Sequence, residues 1–241
     1  MKGYGQFCPV AKAAEILTER WTPLVLRELL FGSRRFNDLR KGVPLMSPAL
    51  LSKRLKFLED AGVIERRRAQ SGKGWEYQPT HAGEELRPVV EMLGVWGQRW
   101  VRSQLTPDEL DPGLLMWDIR RRIDPRQLPS RRIVIQFEFS DAAQSKRRWW
   151  LVNATDSVDL CVTDPGFAVD LYIFTDVRTM TGVWMGDIPL KYALESGRIE
   201  LEGPQDLRRS LRSWLQLSTL AGVRNQNPER KLPLSAKTGR L

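Results

Sequence analysis

Apolar positions recur at helical spacing through the first hundred residues. Val10, Ala13, Ala14 and Leu17, after a Pro9 suited to a first helical position, predict a helix over 9–18. Leu24, Val25, Leu29 and Leu30 predict a second over 22–31, with Thr22 as its cap, Pro23 in its first turn and Gly32 as its stop. A short helix over 34–41 closes at Gly42, and 43–46 form a tight connection. Ser47-Pro48 then opens another helix, with serine at the N-cap and proline at the first helical position. It runs to about Asp60, buries Leu51, Leu55 and Leu58, and stops at Gly62. The period then changes. Residues 63–68 and 75–78 read as the two strands of a hairpin around a turn at 71–74. Thr80 caps a long helix to about Arg102, with Leu86, Val89, Val90, Leu93, Trp96 and Trp100 on its apolar side. Pro88 marks either a kink in that helix or a later start.

Thr106-Pro107-Asp108 and Asp111-Pro112-Gly113 punctuate the chain, which places a boundary near residue 110 and a linker with a helix over 111–129. From about residue 131 strands predominate. Residues 133–139, 149–152, 158–162 and 168–174 read as four, followed by helices near 175–183 and 187–195, a last strand near 198–201 and a helix from Pro204 to about Ala221. Strands followed by helices predict an α+β domain over 130–222, and 223–241 reads as a flexible tail. The fold class is therefore α+β: a winged helix-turn-helix over 1–110, mostly α with a two-stranded wing, followed by a second α+β domain.

Charge sharpens this picture. The 241 residues carry a formal net charge of +9, and residues 30–75 hold eleven Lys or Arg against four Asp or Glu. Most of the imbalance thus lies in one segment, the one holding the Ser47 helix and the hairpin, which points to a polyanionic partner. With Leu51, Leu55 and Leu58 inward, the other face of that helix carries Ser47, Pro48, Ala49, Ser52, Lys53 and Lys56, with Arg54 at its edge. Small, hydrogen-bonding and cationic residues suit close approach to a major groove. Arg66, Arg67, Arg68 and Lys73 make a basic wing for the DNA backbone or minor groove, and Arg34 and Arg35 are candidates to hold a phosphate. The expected partner is double-stranded DNA.

Other classes fit less well. No apolar run reaches the roughly 18 residues of a membrane span, and Met1 to Gln6 hold no signal-peptide core, so no membrane partner and a cytoplasmic location are expected. One histidine, His81, and two distant cysteines, Cys8 and Cys161, give no zinc-finger spacing. No nucleotide or cofactor motif stands out, and neither a cofactor, a metal nor an enzyme activity is expected.

Several motifs converge on one family. Cys8-Pro9-Val10-Ala11, Glu19-Arg20-Trp21-Thr22, Leu26-Arg27-Glu28-Leu29, Arg35-Phe36-Asn37-Asp38-Leu39, Ser47-Pro48-Ala49-Leu50-Leu51-Ser52-Lys53-Arg54-Leu55 and Trp96-Gly97-Gln98-Arg99-Trp100 occur in order. Residues 6–103 thereby resemble the HxlR-type transcriptional regulators, relatives of the MarR group. The resemblance implies a homodimer whose first and last N-terminal-domain helices pack together, with one recognition helix per half-site. Some members are similar in carrying a redox-active cysteine where Cys8 stands; the alternative is a helix-start cysteine with no sensing role.

Residues 130–217, through Thr175-Asp176-Val177-Arg178-Thr179-Met180, Val183-Trp184-Met185-Gly186-Asp187 and the run from Ala193 to Pro204, resemble the end of a sterol-carrier-protein-like domain. That likeness implies helices over a curved sheet with room for an apolar small-molecule effector. Candidate lining residues are Phe137, Phe139, Trp149, Trp150, Phe174 and Trp184, and the alternative for each is plain core. Adjacent Trp149 and Trp150 on a strand face opposite sides, so at most one points inward. A competing function is a carrier of apolar molecules whose N-terminal half only dimerises.

Overall fold

A computed structural model describes residues 3–69, 72–102, 105–154 and 157–226. The chain forms two compact units, Met1–Gly94 and Val95–Leu241. The division falls inside a helix and earlier in the chain than the punctuation near residue 110 suggested.

The first unit opens with α1 (Pro9–Leu17) and α2 (Thr22–Leu30). Thr22 does not cap α2. The N-cap is Trp21, held in the left-handed region at φ 76°, and Thr22 is a buried first helical residue. Next come α3 (Phe36–Gly42) and α4 (Pro48–Asp60). Ser47 caps α4 as expected, its hydroxyl accepting the Leu50 N–H at 3.2 Å. Gly62, at φ +70°, ends it, with Val63 N–H donating to Leu58 and Gly62 N–H to Glu59, the Schellman pattern. Val25, Leu26 and Leu29 of α2 meet Leu39 of α3 and Leu51, Leu55 and Leu58 of α4 in one core.

The hairpin pairs β1 (Ile64–Arg68) antiparallel with β2 (Trp75–Pro79), Arg68 opposite Trp75 and Arg66 opposite Tyr77. Gly72 and Gly74 take positive φ in the connecting turn, whose Ser71 lies outside the described residues. Thr80 is a junction. Its hydroxyl donates to the Gly62 and Val63 carbonyls and accepts the Gly83 N–H at the start of α5 (His81–Glu84). The single long helix expected after Thr80 is in fact α5 and α6 (Arg87–Trp96), followed by a π-helical turn, Gly97–Val101. Pro88 lies in the first turn of α6, where a missing N–H costs nothing.

In the second unit the segment expected as a linker is part of the core. Helix α7 (Pro112–Arg122), capped by Asp111, buries Leu115, Met116 and Ile119. The strands are β3 (Ile133–Phe139), β4 (Arg148–Ala154), β5 (Ser157–Cys161) and β6 (Leu171–Thr175). Then come α8 (Val177–Trp184), α9 (Leu190–Glu195), β7 (Glu200–Glu202) and α10 (Gln205–Trp214), the last ending earlier than residue 221. The sheet order is β5-β4-β3-β6-β7, with β3 antiparallel to β4 and parallel to β6. Alternate residues of the strands pack with α7, α8, α9 and α10 in the main core, while Val134, Trp150 and Val152 form a small cluster on the opposite face. Of the expected tail, 223–226 are described and the remainder lies outside the described residues.

Candidate nucleic-acid interface

Helix α4 sorts its residues by period. Leu51, Arg54, Leu55 and Leu58 are buried, whereas Ser47, Pro48, Ala49, Ser52, Lys53 and Lys56 are exposed on the other side. Thirteen residues make a rod about 20 Å long, which a major groove accommodates. Ser47 uses an oxygen lone pair for capping and keeps its hydroxyl proton for an outside acceptor.

Arg54 is a correction to the sequence reading. It is only 8% exposed, its Nη2 donates to Glu19 Oε2 at 3.1 Å and its guanidinium lies over Phe57. At helical spacing, position 54 falls beside Leu51, Leu55 and Leu58 on the inner stripe. Its charge therefore serves the α1–α2 connection and not the outer face.

Arg34 and Arg35 also have structural partners. The Arg34 Nη1 donates to the Leu29 carbonyl at 2.6 Å, closing the end of α2. Arg35 precedes α3 and pairs with Glu76 of β2 at 3.4 Å, beside an isolated β-bridge between the same two residues. The Arg35 contacts, with the Tyr77 N–H donating to the Arg34 carbonyl at 2.8 Å, fasten the wing to the helix-turn-helix.

On the wing, strand alternation separates two faces. Glu65, Arg67 and Glu76 share one, where Arg67 pairs with Glu65 at 2.5 Å and Glu76 takes Arg35. Arg66, Arg68 and Trp75 share the other, with both guanidiniums 4.4 Å from the indole centre. Among the described residues, no carboxylate lies within ion-pair distance of Lys53, Lys73, Arg66 or Arg68. Lys56 pairs with Asp60 one turn on at 2.5 Å. That hydrogen bond raises the Lys56 pKa above the ordinary lysine value, against an opposing push from the neighbouring Arg66 charge.

Comparison with known proteins adds the family. A model described as HxlR-like helix-turn-helix matches residues 16–105. The Bacillus subtilis protein YvaP, an uncharacterized HTH-type transcriptional regulator, is 36% identical over 98 residues, 40% of this chain and 91% of its own length. The chain belongs to the HxlR-like helix-turn-helix family.

This places it in the class of helix-turn-helix transcriptional regulators. A relative from Mycobacterium bovis, the uncharacterized HTH-type transcriptional regulator Mb3122, is 38% identical over 93 residues; the match spans 38% of this chain and 58% of that one. Among solved structures, the reduced form of the transcriptional regulator YodB from B. subtilis matches 39% of this chain and 93% of its own, at 28% identity and a TM-score of 0.35.

Outside the α4 face, the HxlR-like unit leaves two helices without buried residues, α1 and α6. Phe7 is 99% exposed and Met92 63%, and Val10, Val89 and Leu93 are also open to solvent. Cys8 is a half-buried free thiol at the start of α1.

The six aromatics of the second unit divide. Phe137, Phe139, Trp149 and Trp184 lie in the core between sheet and helices, so Trp149 is the inward member of its pair. Trp150 belongs to the opposite face, and Phe174 stacks there on Tyr172 with ring centres 6.1 Å apart. The two outward residues cannot line a cavity under the helices. A cleft of about 280 Å³ between 107–112 and 141–146 is lined by none of the six. Among the described residues no helix is long and apolar enough to cross a membrane, and no cluster of metal-ligating side chains occurs.

Proposed function

We propose that the chain regulates transcription as a homodimer that places α4 of each copy in a DNA major groove and its wing along the flanking backbone. The observation carrying this reading is the outer side of α4, where Ser47, Ser52, Lys53 and Lys56 are exposed and backed by an apolar core. Lysines in that position neutralise phosphates, and small residues let the backbone approach base edges.

Dimerisation is supported by α1 and α6. Helices of nine and ten residues are marginal alone and normally gain stability by burying an apolar stripe. Here Phe7, Val10, Val89, Met92 and Leu93 face solvent, which is the face a second copy would cover.

The second unit is read as a sterol-carrier-like domain for an apolar effector. Support comes from the helices gathered on one side of the sheet, with Phe137, Phe139, Trp149 and Trp184 beneath them. An effector would act by binding one dimer geometry better than another. Cys8 as a redox thiol rests on the family resemblance and on its half-exposed position at the start of α1.

The test is selection of bound sequences from random duplex DNA by the purified full chain. The reading expects a palindrome with half-sites about one helical turn apart. Recovery of sequences without common features, with binding abolished by moderate salt, would refute sequence-specific regulation.

A further inference from the structure

The four wing cations are not equivalent. On one face Glu65, Arg67, Glu76 and the attached Arg35 sum to zero charge. On the other, Arg66 and Arg68 have no acidic neighbour within ion-pair distance among the described residues, and they converge on one indole, Trp75, which is 42% exposed. Two guanidiniums at 4.4 Å from the same ring centre repel one another. They stay together because the ring's electron-rich faces attract both and the strand pairing sets Trp75 directly opposite Arg68. A large aromatic at an exposed hairpin end, with no core to fill, is therefore a device for fixing two flexible cations.

We propose that Trp75 is a positioning residue that holds Arg66 and Arg68 as a ready-made pair for DNA phosphates, so that one face of the wing contacts DNA and the face bearing Arg67 does not. The proposal rests on the DNA-binding reading of α4 and adds to it a direction for the wing and a role for the indole. Phosphate contact by two adjacent arginines requires both side chains to be immobilised. Having them ordered beforehand removes part of that entropic cost from binding.

The experiment is a salt series of binding by the full chain to its selected duplex, with melting of each variant measured alongside. Arg66→Ala and Arg68→Ala should each lower the slope of log affinity against log salt by about 0.9, one phosphate contact apiece. Trp75→Ala should weaken binding about tenfold at fixed salt while leaving the slope unchanged, since both cations remain but are no longer pre-ordered. Trp75→Tyr should restore affinity, and Arg67→Ala should change it less than about twofold. If Trp75 only held the hairpin together, its loss would lower the slope and the melting temperature along with the affinity, and the proposal would be wrong. Wild-type affinity in Trp75→Ala, with Arg66→Ala and Arg68→Ala still impaired, overturns the role of Trp75 and leaves the DNA-binding reading standing. A loss in Arg67→Ala equal to that in Arg66→Ala overturns the face assignment. If Lys53→Ala, Arg66→Ala and Arg68→Ala all bind as wild type, the interface reading fails and the proposal falls with it.

Discussion

Gly42→Ala adds one methyl group at the end of α3, where the backbone is already helical and accepts alanine without strain. The new Cβ would meet the Glu28 carboxylate at 1.9 Å from its carbon and 2.1 and 2.4 Å from its oxygens. Glu28 cannot swing aside. It is 0% exposed, one oxygen accepts Arg27 Nε at 3.1 Å and Nη2 at 2.8 Å, and the other accepts Ser33 Oγ at 3.2 Å. The same Arg27 Nη2 donates to the Gly42 carbonyl at 2.9 Å, so the methyl strikes the middle of a closed network. Either α3 backs away from α2, at about 1–3 kcal/mol for overpacking, or the carboxylate gives up its partners, at about 3–5 kcal/mol for a broken buried pair. Arg27 keeps roughly a quarter of its side chain in water, which favours the lower part of the second range, so we expect a loss of about 3 kcal/mol. For a unit of this size that lowers its calorimetric transition by at least about 12 °C. The clash is specific to Glu28. In a Glu28→Ala background, itself destabilised, the same methyl should cost less than about 1 kcal/mol. A single mutant melting within about 3 °C of wild type, or an equal cost in both backgrounds, would refute this account.

Lys53→Ala and Lys56→Ala should each weaken DNA binding and lower the salt slope by about 0.9, measured by fluorescence anisotropy on one duplex; an unchanged slope in both would mean that α4 does not face phosphates. Met92→Glu and Phe7→Glu place charges on the exposed stripes of α6 and α1 and should shift sedimentation of the chain toward monomer, with operator affinity falling in parallel. In the second unit, burial by itself would raise the Asp111 pKa, but the Leu114 N–H and the Lys146 ammonium outweigh it and hold the carboxyl below its ordinary value. Its stabilisation is then complete above about pH 4 and disappears as pH falls through the lowered pKa, so Asp111→Asn should be less stable than wild type at pH 7 and equal to it near pH 2 in urea unfolding.

Much of the fold was legible in the order of periods. Ser47-Pro48 and Gly62 bracket α4 because both act through local backbone chemistry, and 133–139 alternates as a strand because its two faces pack against different layers. The α4 face was likewise legible, except for Arg54, whose helical position assigns it inward while its charge suggests the opposite. What escaped depends mostly on residues distant in sequence. Arg35 looks like a free cation until Glu76, 41 residues on, is brought to it, and Arg34 is taken up by the Leu29 carbonyl at the end of the preceding helix. The partition of the wing was available in principle, since Arg66 and Arg68 share a parity that Arg67 does not. Which parity carries the acids depends on the hairpin register, and that is fixed only when the strands pair. The segment over 111–129 looked like a linker because prolines flank it, yet Leu115, Met116 and Ile119 are anchored by strands that come later in the chain.

The central position of β3 has a consequence for synthesis. Its antiparallel neighbour β4 follows within a few residues, but its parallel neighbour β6 leaves the ribosome only after β5 and a further loop. Until Leu171 emerges, β3 presents a row of unpaired N–H and C=O groups along a strand whose inner face, Ile133, Ile135, Phe137 and Phe139, is wholly apolar, the kind of edge that recruits strands from other chains. A nascent or proteolytically clipped chain ending between 140 and 170 therefore carries a finished helix-turn-helix unit tethered to an adhesive half-sheet. Ribosome stalling in that window, or a premature stop codon there, would convert a regulator into an aggregation seed.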